Sequence, residues 1–528
     1  MALDVSEIEA LVRNGETENV EFKEYLRRKI HLEKDRKQGL ASQMKYRVLN
    51  GRGRAIYLVG VSDGGEIKGL PRGKFDETID VLGSIAKEAG LAITEKNYFR
   101  YNGGTVGKLV IEEWKMSKEH LLIGTAGHVD HGKSTLVGTL VSGQLDDGSG
   151  KTRRYLDTQK HEIERGLSAD LSYAVYGFGD NGKAIRLNNP LSKKEKASVV
   201  ANSKKIVTFV DTVGHEPWLR TTIRGIVGQK LDYGVLTIAA DDGITHVTKE
   251  HLAILLAMEL PVIIVITKND KTIKHDLEDE IAGLLSLIGK VPKFIYSERD
   301  LELLPPFWET MVLVPVVKTS AKSGEGLELL DKLFMRLPKR ASVVDRAKEF
   351  LMYLDKVYHV PGVGTVVSGS IKQGAVKKGD ELFLGPDVDG KFHRVRVSSM
   401  EIHHFSVDSA EVGEIIGIAL KGLDMEIERG MVLTAVRNLE TTKEFEADII
   451  VLNHPTKISD GYEPVIHLET LSESIRITPL DAEFLAAGDR GRVRMKFKYH
   501  PYYLKEGQKF VFREGKSKGV GTVIKLIK

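Results

Sequence analysis

Leu121-Leu122-Ile123-Gly124-Thr125-Ala126-Gly127-His128-Val129-Asp130-His131-Gly132-Lys133-Ser134-Thr135 is the stretch that decides the fold. Its apolar beginning, 121–126, predicts a buried strand, and Leu136 and Leu140 predict a helix starting near Thr135. Between the two, Gly127 to Ser134 satisfies G-x-x-x-x-G-K-[ST]. In that context the glycines let backbone N–H groups turn inward around phosphates at a helix N-terminus, where the dipole favours negative charge. Lys133 is expected to reach the β/γ-phosphates and the Ser134 hydroxyl to ligate Mg2+. Gly127, His128, Val129, Asp130, His131, Gly132, Lys133, Ser134 and Thr135 form the expected phosphate site.

Working outward, Ile206 to Val210 forms a second apolar run that ends in Asp211-Thr212-Val213-Gly214-His215. An acidic residue at a strand end can hold Mg2+ through water, and the N–H of Gly214 can approach a γ-phosphate. Val262 to Ile266 leads into Thr267-Lys268-Asn269-Asp270, and the next strand into Thr319-Ser320-Ala321-Lys322. Asp270 can accept from guanine N1 and N2, which adenine cannot match, while Lys268 lays its aliphatic stem on the base. Ser320, Ala321 and Lys322 would present a backbone N–H to guanine O6. The motifs together select GTP and GDP over the adenine nucleotides. The long span from Ser134 to Asp211 is a candidate nucleotide-ordered switch.

The 528 residues, with 41% hydrophobic and 29% charged side chains, suit about three to five soluble domains and exclude wholesale disorder. Cysteine is absent, so there are no disulfides and any metal must be held by oxygen or imidazole. The longest apolar run, Leu260 to Ile266, is far too short to span a bilayer. Met1-Ala2-Leu3-Asp4 does not open a signal peptide, and a cytoplasmic, monomeric protein without membrane attachment is expected. Val20 to Lys23 and Ile56 to Val61 read as strands and Phe75 to Gly90 as a helix, giving a small α/β N-terminal domain. The basic stretch containing Arg27, Arg28, Lys29, Lys34, Arg36 and Lys37 fits a solvated helix face or an RNA-facing surface. Beyond Arg340, short alternating strands punctuated by glycine predict two antiparallel β-barrels. The expected order is an N-terminal α/β domain (1–117), a P-loop α/β G domain (118–342) and barrels at 343–438 and 439–528.

The loop Gly127 to Thr135 together with Asp211-Thr212-Val213-Gly214-His215-Glu216 resembles the elongation factor Tu / elongation factor 1-alpha class of translational GTPases. Tyr358 to Gly369 resembles the opening of that class's second domain, and Phe512 to Val523 the end of its third. His161-Glu162-Ile163-Glu164, Tyr176-Gly177-Phe178 and Ser42 to Arg47 are similar to the GTP-binding protein 1 and 2 branch, of which this chain looks like an archaeal-type member. The resemblance implies GTP hydrolysis stimulated by the ribosome, with aminoacyl-tRNA as the other partner. It implies that Ser168 closes over Mg2+ where the class has threonine, that His215 orients the attacking water, and that Val129 and Leu167 gate His215. It also places the last barrel at the T stem of tRNA, where Arg492, Arg494, Lys496 and Lys498 could face RNA or simply solvent.

His403 and His404 carry no metal-ligand spacing and are expected in surface or barrel packing. Bulk elongation and stalled-ribosome or mRNA quality control both fit the leading reading. A regulatory GTPase of the sulfate-activation type shares the same core, and a GTP-gated RNA- or protein-binding adaptor is a third reading. Selenocysteine delivery is disfavoured because no further domain follows the last barrel. An initiation-factor gamma role would lack its cysteine zinc knuckle.

Overall fold

The computed structural model describes residues 5–51, 53–89, 91–113, 118–156, 171–212, 219–271, 276–304, 310–340, 343–422, 425–437, 439–515 and 517–527. The chain divides into two compact units between Lys118 and Glu119. In the first, Val20–Lys23 runs parallel to Arg54–Val59, which pairs antiparallel with Gly104–Glu113 and through it with Leu91–Tyr101. The helices Lys34–Asn50 and Arg72–Glu88 lay Met44, Val48, Val81 and Ile85 on Tyr57, Leu109 and Ile111 of this sheet. Arg28 and Lys37 of the basic stretch pair with Asp80 and Glu88 of the second helix. Two of the six basic side chains therefore tie this stretch to that helix.

In the second unit an eight-stranded sheet carries the motifs. Its order is Val291–Ile295, Leu313–Lys318, Val262–Thr267, Tyr233–Ala239, Glu119–Gly127, Lys205–Asp211, Ser172–Phe178 and Ala184–Ile185. The first six are mutually parallel, Ser172–Phe178 runs antiparallel to them, and Ala184–Ile185 pairs antiparallel with Ser172–Phe178. Strands covered on both faces must be apolar throughout, and Val262–Thr267 and Tyr233–Ala239 are buried at every position. The loops after the parallel strands gather at one sheet end, where doubly wound folds bind ligands.

The long span between Ser134 and Asp211 is not a single switch loop. It holds a 3-10 turn Lys151–Tyr155, the strand Ser172–Phe178 and a helix Lys193–Asn202 capped by Ser192. Ser172–Phe178 pairs along the whole of Lys205–Asp211, so its alternating aromatic and small residues extend the sheet.

The two remaining domains are barrels. In the first, Leu351–Tyr353 pairs with both Val432–Thr434 and Gly364–Gln373 and closes six strands. In the second, Glu444–Asn453, Arg490–Phe497, Leu471–Pro479, Val465–Leu468, Lys509–Glu514 and Ser517–Ile527 form a closed ring. Strand period two places Val493, Met495 and Phe497 inside and Arg490, Arg492, Arg494 and Lys496 outside.

A two-residue turn joins the first barrel to the sheet. His403 and His404 both adopt left-handed backbone, φ 47° and 66°, between paired Ile402 and Phe405. Such turns favour Asn-Gly. Here the imidazole of His403 meets Thr208 Oγ1 at 2.8 Å, and His120 Nε2 meets the same oxygen at 2.8 Å. A hydroxyl donates only once, so at least one of the two rings donates to it. Both rings are held neutral, because burial pushes His403 down to about 3 and His120 well below its usual value.

Unfolded histidines titrate near 6.5, so this contact is at full strength above that pH and weakens as pH falls. About 2 kcal/mol of stability is expected to be lost between pH 7 and 5.5. Urea unfolding at the two values, compared between the wild type and His403→Gln, measures it, and the variant should lose about 1 kcal/mol less.

Candidate guanine-nucleotide site

The phosphate loop is shaped by close approach. Gly127 has φ 138°, and a Cβ there would lie 2.4 Å from Thr237 Oγ1, so only glycine lets this strand pass its neighbour. Its N–H donates to Nδ1 of buried His251 at 2.9 Å, and its carbonyl accepts from Lys133 Nζ at 3.1 Å. Lys133 Nζ also donates to the His128 carbonyl at 2.8 Å. Burial and the nearby Lys133 charge push His251 down to about 3, which keeps Nδ1 an acceptor.

Not every residue from Gly127 to Thr135 lines the open cavity. Val129, Asp130, Gly132, Lys133, Ser134 and Thr135 line a cavity of about 300 Å³, whereas Gly127, His128 and His131 lie beneath it. His131 is 1% exposed and bonds Asp242 at 2.8 Å, while its ring stands edge-on to His128 at 5.4 Å. These side chains support the loop from below. No sequence signal separated them from the lining residues, because the motif constrains spacing and leaves the intervening side chains undirected.

At the floor, Asp211 accepts from Thr125 Oγ1 and from Ser134 Oγ, both at 2.6 Å. Thr212 ties the same strand end to Thr125 through its N–H at 3.1 Å and its hydroxyl at 2.6 Å. A hard divalent cation fits this donor set, since a hydroxyl that gives its proton to Asp211 keeps its lone pairs for the metal. Ser168, Leu167, Gly214 and His215 lie outside the described residues.

At the opposite end, Lys268 takes φ 56° and lines the cavity with Thr267, Asp270, Ala321 and Lys322. Thr267 Oγ1 donates to the His131 carbonyl at 2.7 Å, joining the base loop to the phosphate loop. Ser320 is fully buried beneath the wall and donates to Asp270 Oδ1 at 2.6 Å, while the N–H groups of Lys322 and Ser323 donate to its hydroxyl. Asn269 turns away to Glu325. The cavity wall also includes Asp146, Ser149, Gly150, Arg153 and Lys271, which the motif reading passed over. The turn-forming cluster Asp146-Asp147-Gly148-Ser149-Gly150 was their only signal.

Residues 118–339 match the elongation factor Tu GTP binding domain, 364–434 elongation factor Tu domain 2, and 438–527 the elongation factor Tu C-terminal domain. GTP-binding protein 1 of Xenopus laevis is 34% identical over 500 residues, 92% of this chain and 76% of that protein. The chain belongs to the elongation factor Tu / elongation factor 1-alpha class of GTPases. GTP-binding protein 2 of Homo sapiens is 32% identical, covering 96% of this chain and 87% of its own. Elongation factor 1-alpha of Methanobrevibacter smithii is 31% identical over 74% of this chain and 88% of its own.

Among solved structures, a bacterial selenocysteine-specific elongation factor superposes with TM-score 0.57 at 23% identity, covering 76% of this chain and 58% of that one. Elongation factor SelB of Methanococcus maripaludis gives 0.55 at 20% identity, over 78% of this chain and 80% of that one. At such identities the likeness speaks for the fold alone. Membership in this GTPase class carries binding of GTP and GDP and hydrolysis of GTP, and Mg2+ is generally used with them. No helix among the described residues is long and apolar enough to cross a membrane.

The strand Arg490–Phe497 presents a more balanced face than its sequence implies. Arg492 is 4.0 Å from Asp481, Arg494 3.6 Å from Glu444, Lys496 3.4 Å from Glu444 and Lys498 2.9 Å from Glu463. These three carboxylates thus lie beside the four cations, Glu444 serving both Arg494 and Lys496.

Lys133 gives this GTPase a measurable pH signature. Burial pushes its ammonium down to about 8 against the pull of Asp211 and Asp130. A bound polyphosphate favours the charged form, so binding above pH 8 must take up a proton. The Kd for GDP is expected to rise roughly tenfold between pH 7.5 and 9.5. Titration calorimetry in two buffers of different ionisation enthalpy reads the proton uptake directly.

Proposed function

We propose that this protein hydrolyses GTP to GDP and phosphate on the ribosome, and that its GTP state carries aminoacyl-tRNA to the A site. The carrying observation is the position of the helix Leu219–Gly228. It follows Asp211 in the chain and packs on strands Val465–Leu468 and Lys509–Glu514 of the second barrel. Its Arg224 approaches Asp355 of the first barrel at 3.7 Å. Movement at the terminal phosphate is therefore coupled to both barrels through one short helix.

In the proposed reaction the phosphate-loop N–H groups and Lys133 hold the polyphosphate, and Asp270, braced by Ser320, selects guanine. His215 orients water for in-line attack, behind a gate of Val129 and Leu167. Ser134 and Asp211, with Ser168, would hold Mg2+, which neutralises charge on the phosphates. Phosphoryl transfer of this kind depends on alignment and charge stabilisation more than on strong bases. Loss of the γ-phosphate releases the switch segments and lets the G domain swing against the barrels. The compartment is the cytoplasm.

A second cavity, of about 1100 Å³, supports a nucleic-acid end as the cargo. It lies between the G domain and the first barrel, with Lys193 and Lys196 on one side and Tyr358, His359 and Val363 on the other. Cations for a phosphate and rings for stacking suit a terminal nucleotide.

Filter binding at constant salt should show charged tRNA held at least about tenfold tighter with a non-hydrolysable GTP analogue than with GDP, the salt being fixed because it sets the backbone contribution. Equal binding with both nucleotides, or none, would sink the carrier role and turn attention to a regulatory GTPase. His215→Ala is expected to lower ribosome-stimulated turnover by about a hundredfold or more while GDP affinity stays within about twofold. Unchanged stimulated turnover would remove His215 from the mechanism.

A further inference from the structure

We propose that Arg153 is a nucleotide-binding residue, a guanidinium delivered in cis to the phosphate nearest the ribose, which GDP and GTP share. The inference rests on reading the 300 Å³ cavity as the guanine-nucleotide site.

The segment from Gln144 to Tyr155 is a strap across one side of that cavity. One end is pinned to the base loop, where the Asp146 N–H donates to the Ala321 carbonyl at 2.9 Å. The Asp146 carboxylate then gathers the strap by accepting from the N–H groups of Gly148 at 2.8 Å, Gly150 at 3.0 Å and Thr152 at 2.9 Å. The other end is pinned to the phosphate-loop helix, where Thr152 Oγ1 donates to the Thr135 carbonyl at 3.1 Å. Gly138 makes this approach possible, since a Cβ there would lie 2.1 Å from the Thr152 carbonyl oxygen. Arg153, one residue on, has its backbone fixed from both sides and lines the cavity.

Its position along the ligand follows from its neighbours. A Cβ built on Gly150 would be 3.1 Å from Arg153 Cδ and 4.0 Å from Thr135 Oγ1, so the arginine stem, Gly150 and Thr135 converge. That places Arg153 toward Thr135 and away from the Ser134–Asp211 pair, where the terminal phosphate and cation belong. Two of the cationic groups near the base end are held by a carboxylate. Lys271 and Lys268 face Asp241 at 2.5 and 4.0 Å. Arginine's planar fork suits a phosphate oxygen pair better than an ammonium does.

A contact to the shared phosphate strengthens substrate and product equally, so it lowers Kd without changing kcat. A transition-state arginine would act on kcat instead. The test uses the full chain with GDP and a non-hydrolysable GTP analogue as probes. Arg153→Met keeps the stem against Gly150 and is expected to weaken both probes by about tenfold, with the KM for GTP rising in step. Arg153→Lys should recover part of the affinity. Unchanged GDP affinity in Arg153→Met overturns the proposal, as does a loss confined to kcat. Equal weakening in both variants together with a lowered melting temperature also overturns it, because the strap would then be structural. A wild-type chain that binds neither probe overturns the guanine-nucleotide reading itself, and this assignment with it.

Discussion

The carboxylate of Asp211 is 2% exposed and is gripped from two sides by the hydroxyls of Thr125 and Ser134. Those three residues belong to three different elements: the central strand Glu119–Gly127, the phosphate-loop helix Lys133–Ser142 and the strand Lys205–Asp211. A buried anion without donors would cost several kcal/mol, so the strand ends are held in one register by the need to satisfy it. That register also fixes where Thr212 emerges. The phosphate loop and the two strand ends beside it therefore depend on one satisfied carboxylate.

The way the barrels are attached fits a body that rearranges. Many of their contacts with the G domain and with each other are ion pairs: Lys230 with Asp345 at 2.8 Å, Lys372 with Glu469 at 2.6 Å, Lys509 with Glu259 at 2.5 Å, and Lys518 with Glu250. Paired charges of this kind specify geometry strongly while contributing little net stability over water-exposed alternatives. Apolar continuity is selective. Val511 and Val520 of the second barrel join the apolar cluster beneath Ile223 and Ile226 of the short helix. The helix thus has a greasy seat on one barrel and an ionic contact, Arg224 with Asp355, on the other.

What could be read in the sequence was what two-sided burial and phosphate chemistry impose. The apolar runs 121–126, Ile206 to Val210 and Val262 to Ile266 became central parallel strands, because a strand covered on both faces admits little else. The motif loops followed at their ends. Ser172–Phe178 escaped because it lies toward the sheet edge and mixes serine, glycine and tyrosine, which read equally well as loop. His251 escaped because its role is to accept one N–H from beneath Gly127, a contact that joins positions far apart in sequence. Arg153 escaped for the same reason, since Asp146 folds the strap through backbone groups that have no residue signature.

The paired face of Arg490–Phe497 bears on how an RNA could be held. Displacing Glu444 or Asp481 from its arginine to reach a phosphate exchanges one charge contact for another, so the net gain per contact is small and falls further with salt. The interdomain cavity behaves differently. Tyr358 is 46% exposed and Val363 47%, on a hairpin arm whose strand Lys356–Val360 pairs on one side only. A base stacked there would cover apolar surface that is now in water, and that gain does not depend on salt. Weak, salt-sensitive contact along the outer barrel combined with salt-tolerant capture of a chain end at the domain junction would let the junction decide what is bound. Arg224 of the helix after Asp211 reaches Asp355 at the edge of that junction.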